Sequence, residues 1–232
     1  SYHWARTANP FTLKLGDNVS SAWDSFLTSA SIDWSASSVL NTTIVTGQGK
    51  RNCSPTAGRV EVCNRTYGSN GWLGLAQIWI SGSHITQGVT KMNDTYFNTS
   101  TYNTPAWKQF VICQEIGHIF GLDHQDEIFN NLNLGSCMDY TNDPSGALYN
   151  QLNNIHPNAH DYEELEIIYS HLDSSTTVGQ IANGHGRADD VDLNEPAAWG
   201  KELKKSSDGR TSLYERDLGK GHKIFTFVIW AD

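Results

Sequence analysis

The chain is short of several things, and each shortage narrows what it can be. Basic residues are few: 16 Lys and Arg stand against 25 Asp and Glu, a formal net charge of −9. A phosphate-binding face needs a basic excess, so no nucleic-acid partner is expected. No apolar run approaches the ~20 residues that cross a bilayer, so no membrane partner is expected either. No secretory leader is visible, and the opening SYHWARTANP reads as the start of a mature, processed product. Internal repeats are lacking. Cysteine is scarce, four residues of 232, and no CxxC pair occurs, which disfavours a four-cysteine zinc site.

What remains is enough to fold. Hydrophobic content is 38% and charged content 18%, with 8 Trp and 9 Tyr, so a packed core is expected rather than disorder. Cys53 and Cys63 bracket a short segment, and Cys113 and Cys137 lie further on. An even count with local spacing predicts two disulfides and an oxidising compartment; the protein is expected to be secreted and monomeric. Four free core thiols are the alternative.

Periodicity gives the elements. Residues 11–17 alternate and read as a strand, as do 39–47, 58–68, 73–82 and 85–94. Trp23, Phe26, Leu27, Ala30 and Trp34 recur at helical spacing, with Ser20 or Ser21 as cap. A second helix starts at Thr104 and Pro105 and stops at Gly121. A third is expected near 159–172, capped by Asn158. Residues 173–200 read as a linker or extended wrap, KELKK (201–205) as an exposed helix face or loop, and 222–231 as an apolar strand that must pack back on the body.

The stretch CQEIGHIFGLDH, 113–124, carries the chemistry. Gln114 and His118 stand at i and i+4 on one helix face, and a turn at Gly121 can bring His124 back to the same point. Neutral nitrogen and oxygen donors so grouped suit a zinc ion. Glu115 sits where a carboxylate can hold and deprotonate an attacking water.

With SCMDY at 136–140, this stretch resembles the metzincin metallopeptidases, whose pattern is HExxHxxGxxH followed by a methionine turn. Glu115, His118, Gly121, His124 and Met138 match; Gln114 does not. FGLDH is similar to the matrixin branch, and Tyr140 stands where the astacin and serralysin branches place a zinc-touching or oxyanion-stabilising tyrosine. The resemblance implies an α+β, metzincin-like zincin fold. That is a twisted mixed β-sheet of about five strands with an N-terminal helix and an active-site helix, then an irregular C-terminal subdomain with one helix. The catalytic domain is expected over 1–172, with a cleft between an upper part, 1–121, and a lower part, 122–172. Residues 173–232 form an extension that packs back on it. One catalytic Zn2+ is expected on Gln114, His118 and His124, with Glu115 as base and Tyr140 on the oxyanion. An extended peptide or protein substrate would pair with the edge strand WLGLAQIW near Gly74, Leu75 and Ala76. A Cys113–Cys137 bridge would staple the metal helix to the methionine turn. Calcium in the acidic loops 126–135 and 139–146 is a weaker expectation, because no EF-hand pattern is present.

Gln114 leaves the function open. Its amide oxygen is a weaker zinc donor than imidazole and its side chain is floppier, with up to ~2 kcal/mol of rotamer entropy to lose. Three readings stand: an active zinc endopeptidase with Gln114 as ligand, a catalytically silent peptide-binding module, or a ligand-substituted variant of an ordinary HExxH enzyme. Asp123, Asp139, His156 and His160 are the donors that could replace the missing imidazole. His3, His84, His185 and His222 show no ligand spacing.

Overall fold

The computed structural model describes residues 2–49, 52–181 and 193–231. After a two-residue strand, β1 (His3–Trp4), comes β2 (Phe11–Asn18), whose alternation buries Leu13 and Leu15 and exposes Thr12 and Lys14. In α1 (Asp24–Trp34) Leu27, Ala30, Ser31 and Trp34 form the buried stripe. The helix begins later than Ser20 or Ser21 would set it. Trp23 takes the N-cap position with no side-chain bond, and Ser20 only closes a turn, its carbonyl accepting from Trp23 N at 2.8 Å.

Next come β3 (Leu40–Thr46), β4 (Val60–Arg65), β5 (Trp72–Ser81) and β6 (His84–Asn93), then one helical turn, α2 (Asp94–Phe97). Helix α3 (Pro105–Ile119) starts as its sequence dictates: Thr104 Oγ1 accepts from Trp107 N at 3.2 Å, and Pro105 occupies the first turn. It stops at Gly121, whose φ of +95° is costly for residues with a Cβ. Helix α4 (Ala159–Ile168) carries a capping box between Asn158 and Asp161 and ends short of residue 172. A 3-10 turn (Pro196–Ala198) leads into β7 (Lys201–Lys205), β8 (Thr211–Gly219) and β9 (His222–Trp230). Part of the expected 173–200 wrap, and His185 with it, lies outside the described residues.

The chain is thus mixed α+β, with nine strands in one sheet among the described residues where about five were expected. The order is β3-β2-β4-β6-β5-β9-β8-β7, and β1 pairs with the start of β6. From β3 to β6 neighbours run parallel; from β6 to β7 they run antiparallel. Two expectations are corrected. KELKK is a strand: it pairs with β8, and its exposed lysines stand on the sheet's outer edge, where charge discourages further pairing. WLGLAQIW is not an edge. β9 takes the far side of β5, setting Gly74 opposite Ile229, Leu75 opposite Val228 and Ala76 opposite Phe227. A strand with Ile224 to Ile229 buried gains more against β5 than a solvated edge would.

Helix α3 lies deep, every residue from Gln109 to Ile119 being buried. At Gly117 a Cβ would collide with Met138 Sδ and stand 2.8 Å from Trp34 Cζ2, so helix and methionine turn are in direct contact. The last carbonyls of α3 are taken by Trp4 Nε1 on Ile119 O (2.9 Å) and Tyr169 Oη on Phe120 O (2.8 Å). Both cysteine pairs are bridged, Cys53–Cys63 and Cys113–Cys137. No helix among the described residues is long and apolar enough to cross a membrane.

The second bridge closes a sequence separation of 24 between α3 and the methionine turn. Replacing Cys113 and Cys137 together by Ala should lower the unfolding free energy by ~3 kcal/mol in urea titrations. An unchanged midpoint and slope would show that the bridge does not constrain the unfolded chain.

Candidate metal centre

One turn of α3 and the bend after it bring two imidazoles together. His118 and His124 approach Nε2 to Nε2 at 2.9 Å, with ring centroids 4.4 Å apart. His118 Nδ1 donates to the Leu122 carbonyl at 2.9 Å, a bond the Gly121 bend makes possible. A carbonyl only accepts, so Nδ1 carries the proton and Nε2 of the neutral ring is a bare lone pair. Burial first, and the charge of His124 second, lower the His118 pKa to about 3, so the ring is neutral at ordinary pH. His124 Nδ1 meets Tyr140 Oη at 2.9 Å, with Asp123 Oδ1 at 3.4 Å and Glu127 Oε1 at 3.7 Å. A tyrosine hydroxyl both donates and accepts. With no cation, Tyr140 can donate to Nδ1 while His124 Nε2–H bonds His118; with a cation between the rings, the tautomer reverses and Tyr140 accepts.

Gln114, Glu115, His118 and Tyr140 are each 1% exposed. Gln114 Nε2 donates to the Cys137 carbonyl at 3.0 Å, which holds the amide and leaves Oε1 as its donor end for a metal. The neighbouring Cys113–Cys137 bridge fixes both backbones involved. Glu115 is buried with Oε2 lacking any hydrogen-bond partner, and burial pushes its pKa well up. A buried carboxyl in that condition takes either a proton or a nearby cation. Lone pairs on two imidazoles are donors that suit a zinc ion, and carboxylate oxygens of Asp123 and Glu127 lie within 4.8 Å of a His124 ring nitrogen and of each other. The separation of 2.9 Å needs only a slight opening, because ligands 2.0–2.1 Å from a tetrahedral ion stand ~3.3 Å apart.

Of the other candidates only Asp123 lies at the pair, 3.4 Å from His124 Nδ1. His156 Nδ1 pairs with Asp33 Oδ2 at 2.7 Å, and His160 Nε2 lies 4.0 Å from Glu164, so neither replaces Gln114. Asp139 Oδ2 accepts from Leu134 N and Asn154 Nδ2, both at 2.8 Å. In the acidic loops, Asp126 accepts from Ile128 N and Asn131 Nδ2, and Asp143 from Ser145 Oγ and Leu148 N. Those oxygens serve the loops' own turns, whereas Asn131 Oδ1, Asn133 Oδ1 and Asp139 Oδ1 in the same loops are buried without a hydrogen-bond partner. Tyr140 Oη meets the His124 ring here and orients it.

Sequence reasoning missed the roof of the site. The Phe227 ring of β9 stacks on His118 at 4.2 Å and 10°. Lys204 of β7 pairs with Glu127 (2.5 Å) and Asp123 (3.7 Å). Between them is a narrow cleft, with room for about one water, bordered by His124, Tyr140, Lys204, Thr211 and Phe227. Nothing local in HKIFTFVIWA marks its Phe as a cover for a histidine; only the β5–β9 register does that. Beneath, Gly74 gives α3 room: a Cβ there would collide with Val111 Cγ1 and stand 3.0 Å from Glu115 Oε1.

No protein-family model matches the chain, and no curated protein matches it.

Gly74→Ala should therefore destabilise the fold by about 1–3 kcal/mol in chemical denaturation. A variant as stable as the parent would show that β5 and α3 have slack between them.

Proposed function

We propose that the protein is a secreted zinc-dependent endopeptidase whose centre, Gln114, His118 and His124, is kept closed by its own C-terminal strands. The observation that carries the reading is the meeting of two Nε2 atoms at 2.9 Å where α3 ends and the chain bends back. Two buried disulfides suit an oxidising compartment.

Zinc, when bound, would polarise the scissile carbonyl and make water acidic at neutral pH. The chain's own groups do the rest. Glu115 accepts a proton from the attacking water and passes it to the leaving amine nitrogen. Leu122 O fixes the tautomer of His118, and Tyr140 orients His124. Cys137 O keeps the Gln114 amide from turning.

Access is the difficulty the fold imposes. An extended substrate adds to a sheet by pairing with a free edge. Here β9 already runs antiparallel along Gly74, Leu75 and Ala76, with Phe227 over His118. The chain's own strand thus lies where a substrate strand would. The second reading, a catalytically silent module, draws on the same observation: a permanent roof needs no catalyst beneath it.

Zinc analysis with a casein-cleavage assay separates them. Glu115→Gln should retain zinc and lose roughly 10²–10⁴-fold in rate. Phe227→Val, which uncovers His118 and keeps a β-branched residue in the strand, should raise the rate ~10-fold if the roof gates access. Zinc retained with no cleavage by parent or Phe227→Val would establish the silent module. Gln114→His should slow zinc loss to a chelator by ~10–100-fold; an unchanged loss rate would remove Gln114 from the ligand set.

A further inference from the structure

We infer that the chain carries a second, structural site for a divalent cation of the zinc class, formed by His3, His171 and Asp173, with His84 against the same carboxylate. These residues are scattered in sequence. The parallel pairing of β1 with β6 sets His3 directly opposite His84, and their rings meet edge to face at 4.9 Å. The segment after α4 brings up His171, whose ring meets His3 at 4.7 Å, and Asp173. Three Nε2 atoms surround one carboxylate oxygen: Asp173 Oδ1 lies 3.2 Å from His84, 3.4 Å from His3 and 3.7 Å from His171. The ligand atoms of His3, His171 and Asp173 all lie within 4.8 Å of one another.

The distances favour a shared ion over hydrogen bonds. Good N–H···O bonds run from 2.7 to 3.2 Å, so at most one of the three contacts is well formed, and three donors crowd one oxygen. Ligands 2.0–2.1 Å from a common tetrahedral ion stand ~3.3 Å apart, close to the separations of Asp173 Oδ1 from the three imidazoles. Imidazole and carboxylate are donors that zinc accepts, and His84, 3.2 Å from the same Asp173 oxygen, stands next to the three groups.

The surroundings hold these groups in place. Arg6 is 1% exposed. Its backbone N (3.1 Å) and Nη1 (2.8 Å) both bond Asp173 Oδ2, which leaves Oδ1 to face the imidazoles. Arg6 Nη2 bonds the carbonyls of Tyr169 and His171, so the turn that presents His171 is itself fixed. An oriented carboxylate with an anchored second oxygen is the supporting arrangement metal sites use. A cation there would tie the end of the α4 segment to β1 and β6, beside the carbonyls of α3 that Trp4 and Tyr169 cap.

The test is zinc content after gel filtration of the full chain loaded with Zn2+ alone, for the parent, His118→Ala, and His171→Ala. The His171 side chain is 55% exposed, so its removal leaves the core intact, which circular dichroism checks. The parent should hold two ions, each single variant one, and the His118→Ala/His171→Ala double variant none. Zn2+ should also raise the melting temperature of His118→Ala but not of the double variant. One ion in the parent, lost in His171→Ala and kept in His118→Ala, would support this site and refute the proposed catalytic one. One ion, lost in His118→Ala and kept in His171→Ala, would overturn this site alone. No ion in the parent would overturn both.

Discussion

Two imidazole nitrogens held 2.9 Å apart are the constraint on which the site depends. Bare lone pairs repel, so the pair exists only with a proton or a cation between them. The chain assembles this arrangement from local rules. A helix stops at a glycine that can take φ of +95°, the bend returns a carbonyl to His118 Nδ1, and the next histidine arrives from the other side. A methionine packed under Gly117, a bridge from Cys113 to Cys137 and an amide tethered to the Cys137 carbonyl restrict what can move. Each restriction lowers the entropy to be lost when a weak donor such as Gln114 serves as a ligand.

The same sheet that builds the core also covers the centre. Strand β9 is apolar through Ile224–Ile229, and β5 offers it a full antiparallel partner. Its docking removes an exposed apolar edge, which is a gain in solubility, and sets Phe227 over His118, which restricts entry. Stability and access therefore oppose each other at one strand. The remaining opening lies toward His124 and Tyr140, beneath the Lys204 ion pairs with Glu127 and Asp123. Those pairs involve partly exposed groups, so they are the weaker part of the cover and depend on salt.

Much of this was legible because the signals were local. Thr104, Pro105 and Gly121 state where α3 begins and ends, and alternation places β2 and the apolar strands. The four cysteines announce bridges by spacing and number. Partnership between strands was not legible. HKIFTFVIWA reads as a strand, but its neighbour is chosen by long-range register, and so the edge assigned to β5 was wrong. KELKK looks like a solvated helix face because an outer strand also exposes its lysines. His3 and His84 are 81 positions apart and share no motif with His171; the β1–β6 pairing alone makes them neighbours.

Diffraction from zinc-soaked crystals, with anomalous data on both sides of the zinc absorption edge, tests the central claim most directly. The expected result is a peak between Nε2 of His118 and Nε2 of His124, with the Gln114 amide oxygen completing the protein donors. Imidazoles still in direct contact with no peak between them, or a peak from which the Gln114 oxygen is turned away, would contradict it.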